Sequence, residues 1–329
     1  MPQQTTMASI INFGRSVLSW FDSLTKRQFH GGNMTSDQLL EKALYSSASI
    51  HQPHSLKAYL AANHLNDYFG TTDSVWLKTS ELIDQTEIEV LGEYSATVQA
   101  PNFSDFRIKR ILDNGIYPAA YAALMQWHEN KGFQDIFSHY VSQASQTSEY
   151  LSHNVTILLA LNRVYRELQP PQVPAFLNRF TEFVTSTRSD GDRSTDTNEV
   201  VELNSVLQVC LKQFGFFGHN LITLTWILRC KEDLSKEQYY AMLSNLYRQA
   251  NSPLEDPDDE IDQAILAQCQ SSDNSDELYD NIHRLVFGYT LSLHQITLAD
   301  ALCFLHERFP EHAAELKHIA EYQCRLLEQ

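Results

Sequence analysis

Among thirteen histidines in this 329-residue chain, a few sit where imidazole is costly to place. Ser152-His153-Asn154-Val155-Thr156-Ile157-Leu158-Leu159 and Gly218-His219-Asn220-Leu221-Ile222-Thr223-Leu224 open two nearly apolar helical runs with the same His-Asn dipeptide. Asp280-Asn281-Ile282-His283-Arg284-Leu285-Val286-Phe287 holds His283 inside a third apolar run, and His54 opens an amphipathic one. A buried imidazole needs partners for both ring nitrogens, in hydrogen bonds or on a metal. Neutral imidazole is the commonest ligand for iron, zinc and copper, and helical bundles assemble such sites from facing helices. Convergence of His54, His153, His219 and His283 on one interior point is the chemistry these residues offer. Any one histidine on an apolar helix is more simply a hydrogen-bonded core residue; the group carries the argument.

Neighbouring residues fit supporting roles. Asn154 and Asn220 can bond to adjacent ligands or water, and Asp280 or Asn281 can orient an imidazole. Lys57 follows His54 by one helical turn and can face the same space. His294 lies eleven residues after His283. On one continuous helix the two would share a face but stand ~16 Å apart, too far to hold one metal. Trp226, Tyr289 and Phe217 are candidates to line a substrate pocket, although core packing explains each as well.

Other catalytic patterns are missing. No GxSxG elbow, GxxxxGK[ST] loop or GxGxxG turn occurs, nor does HExxH. The acidic run Glu255–Glu260 departs from the spacing of a calcium loop and reads as a solvated turn.

The elements that must position the histidines are helices. Apolar residues recur three and four apart, as in Leu56, Tyr59, Leu60, Leu65 and Tyr68, while alternating β-branched runs are scarce. Pro53 and Pro118 suit helix starts, Ser235 suits a cap, and Pro310 separates the last two helices. Roughly twelve to fifteen helices are expected. Residues 186–197 and 251–262 read as exposed loops. The expected fold is all-α, an irregular multi-helix bundle in a single large domain over residues 31–329, with any two-lobe seam near 186–197.

Residues 1–30 are expected to form an amphipathic arm, on a stripe that includes Ile10, Phe13, Val17, Trp20 and Phe21. Arg15, Ser19 and Asp22 interrupt it too often for a signal peptide or a bilayer span. Docking on its own fold or on a second copy, giving a homodimer, is expected. A membrane-surface role lacks the cationic face it would need. The net charge of −17 and the absence of a basic stripe argue against nucleic acid. Five scattered cysteines without a CxxC pair fit reduced thiols and a cytoplasmic setting.

Several segments recur in a recognisable order: the His54–Tyr68 helix before Phe69-Gly70-Thr71, and Gly115-Ile116-Tyr117 leading to Gly132-Phe133-Gln134-Asp135. They continue with His153, then Phe216-Phe217-Gly218-His219-Asn220-Leu221, then Asp280-Asn281-Ile282-His283. Over residues 37–295 this order resembles the questin oxidase-like family. The resemblance implies a helical fold and a non-haem metal centre, iron in the first instance, held by His54, His153, His219 and His283. It further implies an oxygenase-type oxidoreductase using dioxygen on an aromatic or polyketide-like small molecule. The chain departs from the family at Val286, where a lysine is expected, and around His153, where one of two histidines is missing. The competing reading is a helical interaction or regulatory protein that keeps the fold without catalysis.

Overall fold

The computed structural model describes residues 34–47, 52–70, 73–90, 102–187, 192–193, 201–254, 259–271 and 278–328. The expected arm over residues 1–30 lies outside them. In chain order the helices are α1 (Ser36–Leu44), α2 (His54–Tyr68), α3 (Ser74–Thr86), α4 (Asp105–Asp113), α5 (Ala119–Lys131) and α6 (Phe133–Ala144). They continue with α7 (His153–Glu167), α8 (Val173–Ser186), α9 (Leu203–Lys212), α10 (His219–Arg229) and α11 (Lys236–Asn251). The last are α12 (Gln263–Ser271), α13 (Leu278–Phe287), α14 (Leu293–Arg308) and α15 (Ala313–Leu327). The fold is all-α, a single multi-helix domain, and residues 35–329 cluster as one unit without a seam at 186–197.

Local chemistry explains the boundaries. Helix α2 begins directly after Pro53, whose missing N–H is no loss there, and α5 begins likewise after Pro118. Thr35, Ser235 and Ser292 each close a capping box with the glutamine three residues on, starting α1, α11 and α14. Part of the loop expected at 186–197 is ordered by backbone pairing: Asp192–Arg193 forms a two-residue strand against Thr147–Ser148.

Four helices form the centre. Each of α2, α7, α10 and α14 packs against two of the others, in the cyclic order α2–α7–α10–α14. Residues 54–62 of α2 are all buried, as are 219–228 of α10. Helix α2 is therefore central rather than amphipathic, because neighbours cover every face of its first turns. Opposite the histidine-bearing ends, a carboxylate ties three of these helices together. Asp300 on α14 accepts hydrogen bonds from Arg229 on α10 at 2.7 and 2.9 Å, and lies 3.3 Å from Nδ1 of His64 on α2.

Candidate metal centre

Each of the four central helices presents a histidine in its first turn: His54, His153 and His219 are the first residues of α2, α7 and α10, and His294 is the second of α14. Two of these starts use the same backbone device. Leu151 and Ser152 precede His153 with φ of 65° and 52°, and Phe217 and Gly218 precede His219 with φ of 44° and 73°. A pair of left-handed residues thus turns the chain sharply and presents the next side chain inward. Three of those four positions are not glycine, a conformation costing about 1–3 kcal/mol each and characteristic of functional sites. At the fourth, glycine is needed twice over, since a Cβ on Gly218 would overlap Leu298 of α14 as well as meeting the positive φ.

The imidazoles form a closed four-membered ring with nearly equal sides, and the His153–His294 diagonal is 6.2 Å. Ring centroids are 5.1 Å apart for His54–His153, 5.0 Å for His153–His219, 4.8 Å for His219–His294 and 4.9 Å for His294–His54. Nε2 of His153 stands 3.4 Å from Nε2 of His54 and 3.2 Å from Nε2 of His219. One nitrogen from each of His54, His153 and His294 lies within 4.8 Å of the others; His219 falls outside that group of three and meets it through His153 Nε2.

Protonation sharpens this arrangement. His219 Nδ1–H donates to the Phe216 carbonyl, so in the neutral ring the Nε2 lone pair faces the centre. Nδ1 of His294 is 2.8 Å from Ser292 Oγ, while its Nε2 is buried with no partner. A proton on His153 Nε2 cannot serve two lone pairs well, and it leaves His294 unsatisfied. Burial, followed by neighbouring positive charge, keeps all four rings neutral: His219 is lowered to about 3, and His54, His153 and His294 lie well below the usual imidazole range.

A transition metal meets these demands. Bonds of about 2.1 Å place neighbouring ligand nitrogens about 3.0–3.4 Å apart, for angles between square and tetrahedral. The two observed Nε2 separations fall within that span. The donor set, neutral and nitrogen-only, suits zinc, copper, iron or nickel.

The structure brings together His54, His153 and His219 and leaves out His283. That histidine is exposed on α13, its ring 5.9 Å from Phe69 and 4.7 Å from Phe287. His294 takes the fourth corner instead. The two histidines do not share a helix: α13 ends at Phe287 and α14 starts at Leu293, so spacing along one axis says nothing about them. Gly288 followed by Ser292 and Gln295, a helix stop and a capping-box pattern, is the sequence signal for that break.

Of the residues expected to support the site, Asn220 links helix starts rather than rings. Its amide donates to the Gln213 carbonyl and accepts from Gln249, whose side-chain oxygen in turn accepts from Ser152 Oγ at 2.6 Å. Gln249 thereby joins the turn before His153 to the turn after His219. Asn154 donates to Thr147, and Asn281 is buried on α13, the helix of His283. Lys57 is almost wholly buried at 1 % exposure, with no partner for Nζ, and burial brings its ammonium down to about 7. Of the three aromatics, Phe217 reaches the cluster, its ring 5.8 Å from His294; Trp226 is buried beside Arg229, and Tyr289 is exposed. Phe216 stacks on His219 at 5.9 Å and is itself partly exposed.

No helix among the described residues is long and apolar enough to cross a membrane. No family model, curated protein or solved structure matches this chain.

Proposed function

We propose that this protein is a metal-dependent oxidoreductase whose centre is held by His54, His153, His219 and His294. The single observation that carries this reading is four neutral imidazoles in a closed ring, with more lone pairs facing inward than the side chains can satisfy among themselves. A purely structural core would favour complementary donors and acceptors, because a buried orphan costs about 1–3 kcal/mol.

The bound metal would act as a Lewis acid and redox partner for a small molecule and dioxygen. The chain's own contribution is placement. Helix starts fix the rings, the Phe216 carbonyl and Ser292 hydroxyl fix two ring orientations, and burial keeps the imidazoles unprotonated and ready to ligate. The ring faces of Phe216 and Phe217, with Phe216 partly open to solvent, suit approach by a flat aromatic or polyketide-like substrate. Iron is the metal we propose, from the family resemblance, and a cytoplasmic setting fits five buried cysteines with no disulfide between them.

Elemental analysis of the purified full chain tests the reading. Near-stoichiometric transition metal is expected, lost in His153→Ala and His294→Ala and kept in His283→Ala. Only trace metal in a well-folded wild type that also fails to take up iron(II) or zinc(II) would sink it.

A further inference from the structure

One turn along three of the four helices, on the same face as the histidine, stand Lys57 (α2), Thr156 (α7) and Thr223 (α10). Each is nearly or fully excluded from solvent, at 1 %, 0 % and 1 % exposure. Each also carries a polar atom without a partner: Lys57 Nζ, Thr156 Oγ1 and Thr223 Oγ1. Helix threonines usually return their hydroxyl to the preceding turn, as Thr79 and Thr181 do here at 2.8 Å. These three unspent donors stand on three helices of the central ring, each one turn beyond its histidine, and Lys57 acts electrostatically on all four imidazoles.

The surroundings set the charge these donors favour. Four helix N-termini, on helices of 11 to 16 residues, meet at the histidine ring with their positive ends. Among the described residues, Lys57 is the charged side chain that acts on all four rings, and no carboxylate acts on them. The nearest acid in sequence, Glu149, is spent on the Asn154 N–H at 2.6 Å. A cation held by neutral ligands in such a place leaves positive charge uncompensated in a buried site, and that state is unfavourable without a counter-charge.

We propose that Lys57, Thr156 and Thr223 form a binding site for a small oxyanion, a carboxylate or phenolate oxygen, which supplies the negative charge that no carboxylate among the described residues brings to the histidine centre. The inference deepens the metal-centre reading and rests on it for the role of the anion, while the donors stand on their own. It assigns the substrate, or an obligatory co-ligand, to the organic acids and acidic phenols.

Calorimetric titration of the full chain, zinc-loaded and metal-free, with acetate and with its neutral counterpart acetamide tests this. Acetate is expected to bind the loaded wild type at least about tenfold more tightly than acetamide. Lys57→Met should abolish that preference without lowering zinc content, because it removes a like charge. Thr223→Val, nearly isosteric, should weaken acetate and leave acetamide unchanged. Equal binding of acetate and acetamide by the wild type overturns the proposal, and so does a folded Lys57→Met that keeps the preference. If Lys57→Met does not fold, the wild-type comparison and Thr223→Val decide. A wild type that takes up no zinc counts against the metal reading alone; the metal-free titration then decides the oxyanion site separately.

Discussion

Arg229 closes α10 ten residues after His219, and its guanidinium grips Asp300, six residues after His294, through two hydrogen bonds of 2.7 and 2.9 Å. Burial alone would raise the Asp300 carboxyl; Arg229 and His64 outweigh it and hold it below its usual range. His64 lies ten residues after His54. One carboxylate therefore fixes the relative positions of α2, α10 and α14, and so of three corners of the histidine ring.

Arg229→Met should therefore be felt at both ends. Removing one partner strands a carboxylate that is 3 % exposed, at a cost of about 3–5 kcal/mol. Urea unfolding measures that loss, and metal content on the same preparation should fall as the three helices lose register. A variant as stable and as metal-rich as the wild type would separate the clamp from the centre.

Gly218→Ala combines two penalties, a positive φ and an overlap with Leu298, whereas Gly115→Ala meets only the φ, with Thr185 at an ordinary contact distance of 3.7 Å. The first should cost about 2–4 kcal/mol and the second about 1 kcal/mol, from backbone strain with and without overpacking. Thermal melts of the two variants check the ordering. Equal losses would mean that α10 and α14 adjust freely at this contact.

The pH dependence of the metal-free protein has a defined sign. His219 titrates near 6.5 when unfolded and near 3 when folded, chiefly through burial, so the unfolded chain binds the extra proton between those values. The stabilisation is fully present above 6.5 and is lost as pH falls toward 3, at about 1.4 kcal/mol per pH unit for one histidine. His54, His153 and His294 act in the same direction. Glu149, raised to about 7 by burial, acts oppositely and loses its stabilisation as pH rises from 4.5. His219→Gln isolates the histidine contribution: its stability should decline less steeply than the wild type's between about pH 6.5 and pH 5 in denaturant titrations. Parallel slopes for the two proteins would contradict the assignment of His219 as a neutral buried ring.

Helical class, the starts after Pro53, Pro118 and Ser235, and the inward placement of His54, His153 and His219 were all legible in the amino-acid order. Each depends on residues within a few turns: a cap, a proline, a run of apolar side chains that must find cover. Even the kinship of Ser152-His153-Asn154 with Gly218-His219-Asn220 is local, since both pairs turn the backbone the same way. Which fourth histidine closes the ring was a different kind of question. His283 has apolar neighbours in Ile282, Leu285, Val286 and Phe287, yet α13 leaves it exposed. The break before Ser292 starts a new helix, and packing of α14 against α2 and α10 carries His294 to the corner. The unspent donors of Lys57, Thr156 and Thr223 likewise become visible only once three helices enclose them. Short-range order decides what a segment is; the meeting of distant surfaces decides which of its side chains are shut in together, and no spacing along the chain encodes that.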